Sequence, residues 1–116
     1  MGESAGRFFL SQLLETVGCL HSQGVVHRDL KLDNMLLDDE MNIKILDFGF
    51  SHHGDASSLS SNVGTDSYMA PELLRRQRYD GKATDVFALG VILFILVVGN
   101  TPFRKAVDSD PYFKLL

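Results

Sequence analysis

Apolar residues first recur at helical spacing: Phe9, Leu13, Val17 and Leu20 share one face, and Leu10 and Leu14 widen the stripe. This predicts an amphipathic helix over residues 6–22, stopped by Gly24. Val25 and Val26 lead into a polar stretch. Met35, Leu36 and Leu37 then read as a short buried strand, residues 38–42 as a tight polar turn, and residues 43–46 as the partner strand. Such a hairpin carries Asn34 at one end and Asp47 at the other. Residues 50–66 are rich in Ser, Gly and His with no hydrophobic period, so a loop is expected. Pro71 starts a short helix through Arg75. A long apolar helix spans 83–98 and is ended by Gly99 and Pro102. Residues 110–116 open a further helix. The expected fold class is mainly α with a small β-hairpin, an α+β arrangement.

Residues 86–98 form an unbroken run of 13 apolar residues and glycine. A membrane span needs about 20 residues, whereas shorter runs belong to buried core helices, so no membrane span is expected. Among 116 residues, 45% hydrophobic and 22% charged, a folded domain is the natural outcome. The net charge of −4, from 15 acidic and 11 basic side chains, argues against nucleic acid as a partner. Cys19 is the only cysteine, which precludes an intrachain disulfide and fits an intracellular, reducing home. His52 and His53 lack further spaced ligands and read as solvated loop residues.

Three motifs follow one another: His27-Arg28-Asp29-Leu30-Lys31-Leu32-Asp33-Asn34, then Asp47-Phe48-Gly49, then Gly64-Thr65 through Ala70-Pro71-Glu72. Each alone is a weak match, since Asp, Asn and Gly are common in turns. In this order, with Asp29 lying 5 residues before Asn34 and 18 before Asp47, they resemble the catalytic, C-terminal lobe of the eukaryotic protein kinase family. The resemblance covers nearly the whole chain. Lys31 and Thr65 indicate the serine/threonine type, and the residues around Asn100 and Tyr112 look most like calcium/calmodulin-dependent and AMP-activated-type kinases.

The resemblance implies ATP and Mg²⁺ as cofactors and a protein Ser/Thr hydroxyl as acceptor. Phosphoryl transfer needs metal on the phosphates, a group orienting the hydroxyl, and positive charge beside the moving phosphoryl. Asn34 and Asp47 offer the oxygen ligands that magnesium prefers. Asp29 is placed to orient the hydroxyl, Lys31 to reach the γ-phosphate, and Thr65 to bond both. Leu36 would floor the adenine pocket. In family terms His27 is structural and stacks on Phe48, Asp85 accepts backbone N–H bonds from the catalytic loop, and Glu72 pairs with a later Arg. Arg28 suggests control by phosphorylation at Ser57, Ser58, Ser60 or Ser61, because a guanidinium can grip a phosphate bidentately. Asp33 either meets a basic residue upstream of the target hydroxyl or stabilises its own turn.

No Gly-x-Gly-x-x-Gly and no Val-Ala-Ile-Lys-type strand appears in the sequence. The expectation is therefore a partial kinase domain over residues 1–116 with the N-lobe absent, and negligible turnover from these residues alone. A non-catalytic binding or decoy module is the alternative. A small-molecule kinase of related fold is disfavoured by the 64–72 segment, which shapes a peptide-docking surface in protein kinases.

Overall fold

Phe9, Leu13 and Val17 are buried on one side of a helix that is otherwise open to solvent. The computed structural model describes residues 2–115. In it this helix, α1, spans Glu3–Ser22 and starts three residues earlier than predicted. Polar helix-compatible residues extend it, with an exposed Arg7–Glu3 pair at 2.7 Å across one turn. Leu10 and Leu20 are half-buried and Leu14 is exposed, so the seam is narrower than the sequence suggests. Gly24, at φ 76°, turns the chain into β1, Val25–Val26.

The long apolar helix, α3, spans Gly81–Val98, again earlier than predicted. Asp80 supplies the N-cap, its carboxylate accepting the Lys82 amide at 2.9 Å. A Cβ at Gly81 would lie 2.9 Å from Val26 Cγ2 and 3.0 Å from Leu59 Cδ1, so glycine lets the helix start inside the core. Gly99, at φ 97°, closes the other end by donating to Ile95 O at 2.8 Å. Ala88, Leu89 and Ile92 pack with Leu13, Val17 and Leu30 into the main core. By length and a mean hydropathy of 2.1, α3 could cross a membrane. Its buried Asp85 and its packing on α1 instead make it the central helix of the fold. Val86, Val97 and Val98 line its outer face and are exposed.

β2, Met35–Leu37, pairs antiparallel with β3, Ile43–Ile45, in the register Met35↔Ile45. The hairpin forms, but it is not buried: Leu36 is 58% exposed and Leu37 49%. Asp38 closes the turn by accepting the Glu40 and Asn42 amides, bonds that hold its carboxyl below the usual carboxylate range. Asn34 and Asp47 do not occupy opposite ends. An antiparallel hairpin puts the residue before its first strand beside the residue after its second, and Leu46 N donates to Asn34 O at 2.7 Å.

The 50–66 segment is not wholly a loop. Its β4, His52–His53, pairs antiparallel with β1, and Leu59 forms an isolated bridge with Tyr79. A 3₁₀ turn, Asp66–Tyr68, precedes α2, Pro71–Leu74. These pairings escape a hydrophobic-period reading because each involves only one or two residues.

The helix expected over 110–116 is only a 3₁₀ turn, Phe113–Leu115, and residue 116 lies outside the described residues. Asp110 organises this stretch. Its buried carboxylate accepts the amides of Arg104, Lys105, Tyr112 and Phe113 at 2.9–3.2 Å. Burial raises its pKa, but the four N–H bonds outweigh burial and hold it below the usual carboxylate range. A carboxyl depressed in the fold contributes stability above its unfolded pKa and loses it as pH falls through the folded one. Asp110→Asn is therefore expected to lower the melting temperature at pH 7, with the deficit shrinking below pH about 4. A deficit that stays constant between pH 7 and pH 3 would disprove the carboxylate's role.

Candidate active site

Asp85 is the anchor from which the site is built. It is 1% exposed, and its Oδ2 and Oδ1 accept the amides of His27 and Arg28, each at 2.9 Å. His21, from the last turn of α1, adds a third contact, Nε2 to Oδ2 at 2.9 Å. A buried carboxylate is tolerable only with such partners. Arg28 takes φ 70°, a conformation that side chains other than glycine rarely adopt. The two amide bonds on Asp85 hold that turn, and His27 is locked beyond it. His27 is fully buried, sets its ring edge-on to Phe48 at 4.8 Å, and bonds Leu46 O at 3.0 Å through Nε2. His27 Nδ1 accepts the Asp29 amide at 3.1 Å. One imidazole thus ties the Asp29 loop to the segment carrying Asp47.

Asp29, Lys31, Asn34 and Thr65 converge. Thr65 Oγ1 donates to Asp29 Oδ1 at 2.8 Å and accepts from Lys31 Nζ at 3.0 Å. Lys31 Nζ lies 4.0 Å from Asp29 Oδ2. Asn34 Nδ2 donates to Asp29 O at 2.9 Å and, more weakly, to Asp29 Oδ2 at 3.4 Å. Gly64 makes Thr65's approach possible. It adopts φ 132°, and a Cβ there would stand 3.2 Å from Arg28 O. The result is a carboxylate held in place by a hydroxyl, an amide and an ammonium, at the edge of a cleft also bordered by Leu30, Tyr68 and Ala88.

Asp47 is exposed and left-handed at φ 55°. Its Oδ1 accepts the Gly49 amide at 3.1 Å, which leaves Oδ2 without a protein donor among the described residues. Asn34 spends its amide nitrogen on Asp29, which leaves its oxygen for a ligand. No group of three or more His, Cys, Asp or Glu side chains that could hold a metal occurs among the described residues. An oxygen pair from one carboxylate and one amide matches magnesium, which keeps several waters and leans on substrate phosphates. The donor set fits that ion.

The other expected residues are dispersed. Leu36 lines a shallow apolar hollow with Phe9, Leu13, Leu37 and Ile43. Asp33 is exposed, close enough to Tyr68 that its charge joins burial in raising that hydroxyl's pKa. Glu72 meets no basic side chain among the described residues. Arg28 reaches Phe50 O at 2.6 Å and the Tyr79 hydroxyl at 3.2 Å, while Ser57, Ser58, Ser60 and Ser61 are all exposed. Three residues were not foreseen: His21 on Asp85, Tyr79 bridging Arg28 to Ser61 O at 2.6 Å, and Arg78 on Ser58 at 2.8 Å. Only His21 carried a signal, as a histidine in the last turn of a helix leading into the Asp29 loop.

The family model described as "Protein kinase domain" matches residues 1–115. Abscisic acid-inducible protein kinase of Triticum aestivum is 49% identical over 98% of this chain and 35% of its own length. Serine/threonine-protein kinase chk1 of Schizosaccharomyces pombe is 46% identical over 92% of this chain and 22% of its own. CBL-interacting protein kinase 2 of Oryza sativa subsp. japonica is 43% identical, over 97% and 26% respectively. The chain thus spans between about a fifth and a third of the length of these curated relatives.

Proposed function

The chain belongs to the protein kinase family, and from that premise we propose that it carries the chemical centre of a serine/threonine kinase acting on protein hydroxyls. What supports this most is the Thr65 hydroxyl that joins the Asp29 carboxylate to the Lys31 ammonium. A base or orienting group must be held within hydrogen-bond reach of the acceptor, with a cation beside the moving phosphoryl. Asp29 takes the acceptor's proton or aims its lone pair, and Lys31 faces the γ-phosphate. Asn34 and Asp47 are the residues that would hold magnesium, which when bound offsets phosphate charge. Leu36 would floor the adenine site, and Asp33 would meet a basic residue upstream of the target. Residues 1–116 contain no glycine-rich phosphate loop, so by themselves they are assigned weak nucleotide binding and negligible turnover.

Magnesium and ATP, titrated into the chain and followed by amide NMR shifts, test the reading. The amides around Asn34 and Asp47 are expected to shift together with millimolar affinity. Asp47→Asn is expected to weaken the response by about tenfold or more, since an anionic ligand is lost. No shift at either residue, in the chain and in Asp47→Asn alike, would favour a non-catalytic binding module.

A further inference from the structure

Away from the groups that face the acceptor or the phosphates, one side-chain amide of α1 grips both sides of the hairpin turn. Gln12 Nε2 donates to Met41 O at 3.0 Å, and Gln12 Oε1 accepts the Ile43 amide at 2.8 Å. We propose that Gln12 is a positioning residue, which sets where the open end of the hairpin, with Asn34 and Asp47, stands relative to the Asp29 loop. The consequence for magnesium rests on the kinase reading; the grip on the hairpin does not.

The hairpin requires such a hold. Its two strands pair only with each other, and an isolated hairpin is marginal in water. Leu36 and Leu37 are exposed, so β2 buries little. Ile43 and Ile45 pack on the core that contains Leu13, but apolar contact is not directional and fixes no register against α1. Asp38 N donates to Asn42 O at 3.0 Å, and in an alternating antiparallel ladder this turns the Ile43 amide away from β2. Gln12 Oε1 is the acceptor that amide finds. Met41 takes φ 65°, in the left-handed region that favours glycine, and Gln12 holds its carbonyl. A primary amide donates and accepts at once, so a single side chain satisfies both backbone groups.

The same helix grips the other half of the site. His21, nine residues beyond Gln12, meets Asp85, which holds the His27 and Arg28 amides just before Asp29. About 14 Å of helix, at 1.5 Å per residue, thus spaces a hold on the Asp29 loop from a hold on the hairpin. At the hairpin's open end Leu46 N donates to Asn34 O at 2.7 Å, and Leu46 O accepts from His27 Nε2 at 3.0 Å. A three-residue strand carries any tilt at the turn over only about 10 Å to these bonds, at about 3.3 Å per residue. Asp47 is the next residue along.

Gln12→Leu keeps the bulk and the helix preference of the side chain and removes both bonds. Amide hydrogen exchange in the full chain, without nucleotide or metal, is expected to speed up about fivefold or more at Ile43 and about twofold or more at Leu46. Exchange at Ile92, deep in α3, should keep its rate, which separates a local release from a general loss of stability. Gln12→Glu retains the acceptor for Ile43 but not the donor to Met41, and should fall between the two. In a titration with magnesium and ATP, Gln12→Leu should weaken the response at Asn34 and Asp47 about threefold or more, and should add little once Asp47 is Asn. Unchanged exchange at Ile43, faster exchange there with Leu46 unaffected, or unchanged affinity beside faster exchange at both would overturn the proposal. If the unaltered chain gives no response to magnesium and ATP, the kinase reading falls, and the exchange rates still decide whether Gln12 holds the hairpin.

Discussion

Asp85→Ala is expected to lower the unfolding free energy by about 3–5 kcal/mol, the scale for removing one partner of a buried charged network. The side chain is 1% exposed and receives the His27 and Arg28 amides together with His21 Nε2. Truncation leaves these donors without their carboxylate acceptor in a buried site. A domain is stable by only about 5–15 kcal/mol, so the loss is a large share of the whole. Urea unfolding of the chain and the variant measures it, through the change in midpoint at constant slope. His21→Gln, which removes only one of the three contacts, should lose about 1 kcal/mol. If Asp85→Ala loses no more than His21→Gln, Asp85 is not the anchor described above.

The importance of Asp85 was legible in the sequence only through its resemblance to a family. A lone aspartate in an apolar helix says nothing about which amides it meets. The first long helix was readable from apolar residues at a 3.6-residue period and the second from an unbroken apolar run, although both begin earlier than those signals do. Polar first turns and caps such as Asp80 extend a helix without extending its apolar stripe. The Asp29, Asn34 and Asp47 motifs stood out by spacing, but the way the chain ties the segments that carry them did not. It depends on the open end of a three-residue hairpin and on the His27 ring, which touches Phe48, Leu46 and Asp29 at once. The Leu59–Tyr79 bridge and the Arg78–Ser58 contact were illegible, because a single-residue pairing across 20 positions leaves no periodic trace.

Phosphoryl transfer itself gives the other large effect. Grafted in place of the matching segment of one of its kinase relatives, residues 1–116 are expected to support Mg²⁺-dependent transfer from ATP to a serine peptide. Asp29→Asn in that chimera is expected to lower kcat by about 10²–10⁴-fold, the range for a positioned acid–base group, with little change in the KM for ATP. Asparagine keeps the size and accepts the Thr65 hydroxyl, but it cannot take a proton. Thr65→Ala should act less severely, because Asp29 loses a hydrogen bond at 2.8 Å and Lys31 one at 3.0 Å while both charges remain. Thr65→Ser, which restores the hydroxyl, should recover most of the rate. A peptide with an upstream arginine should be preferred, and Asp33→Asn should erase that preference while leaving Asp29's effect intact. If Asp29→Asn turned over as fast as the parent, the carboxylate that Thr65, Lys31 and Asn34 hold in place would have no part in the chemistry.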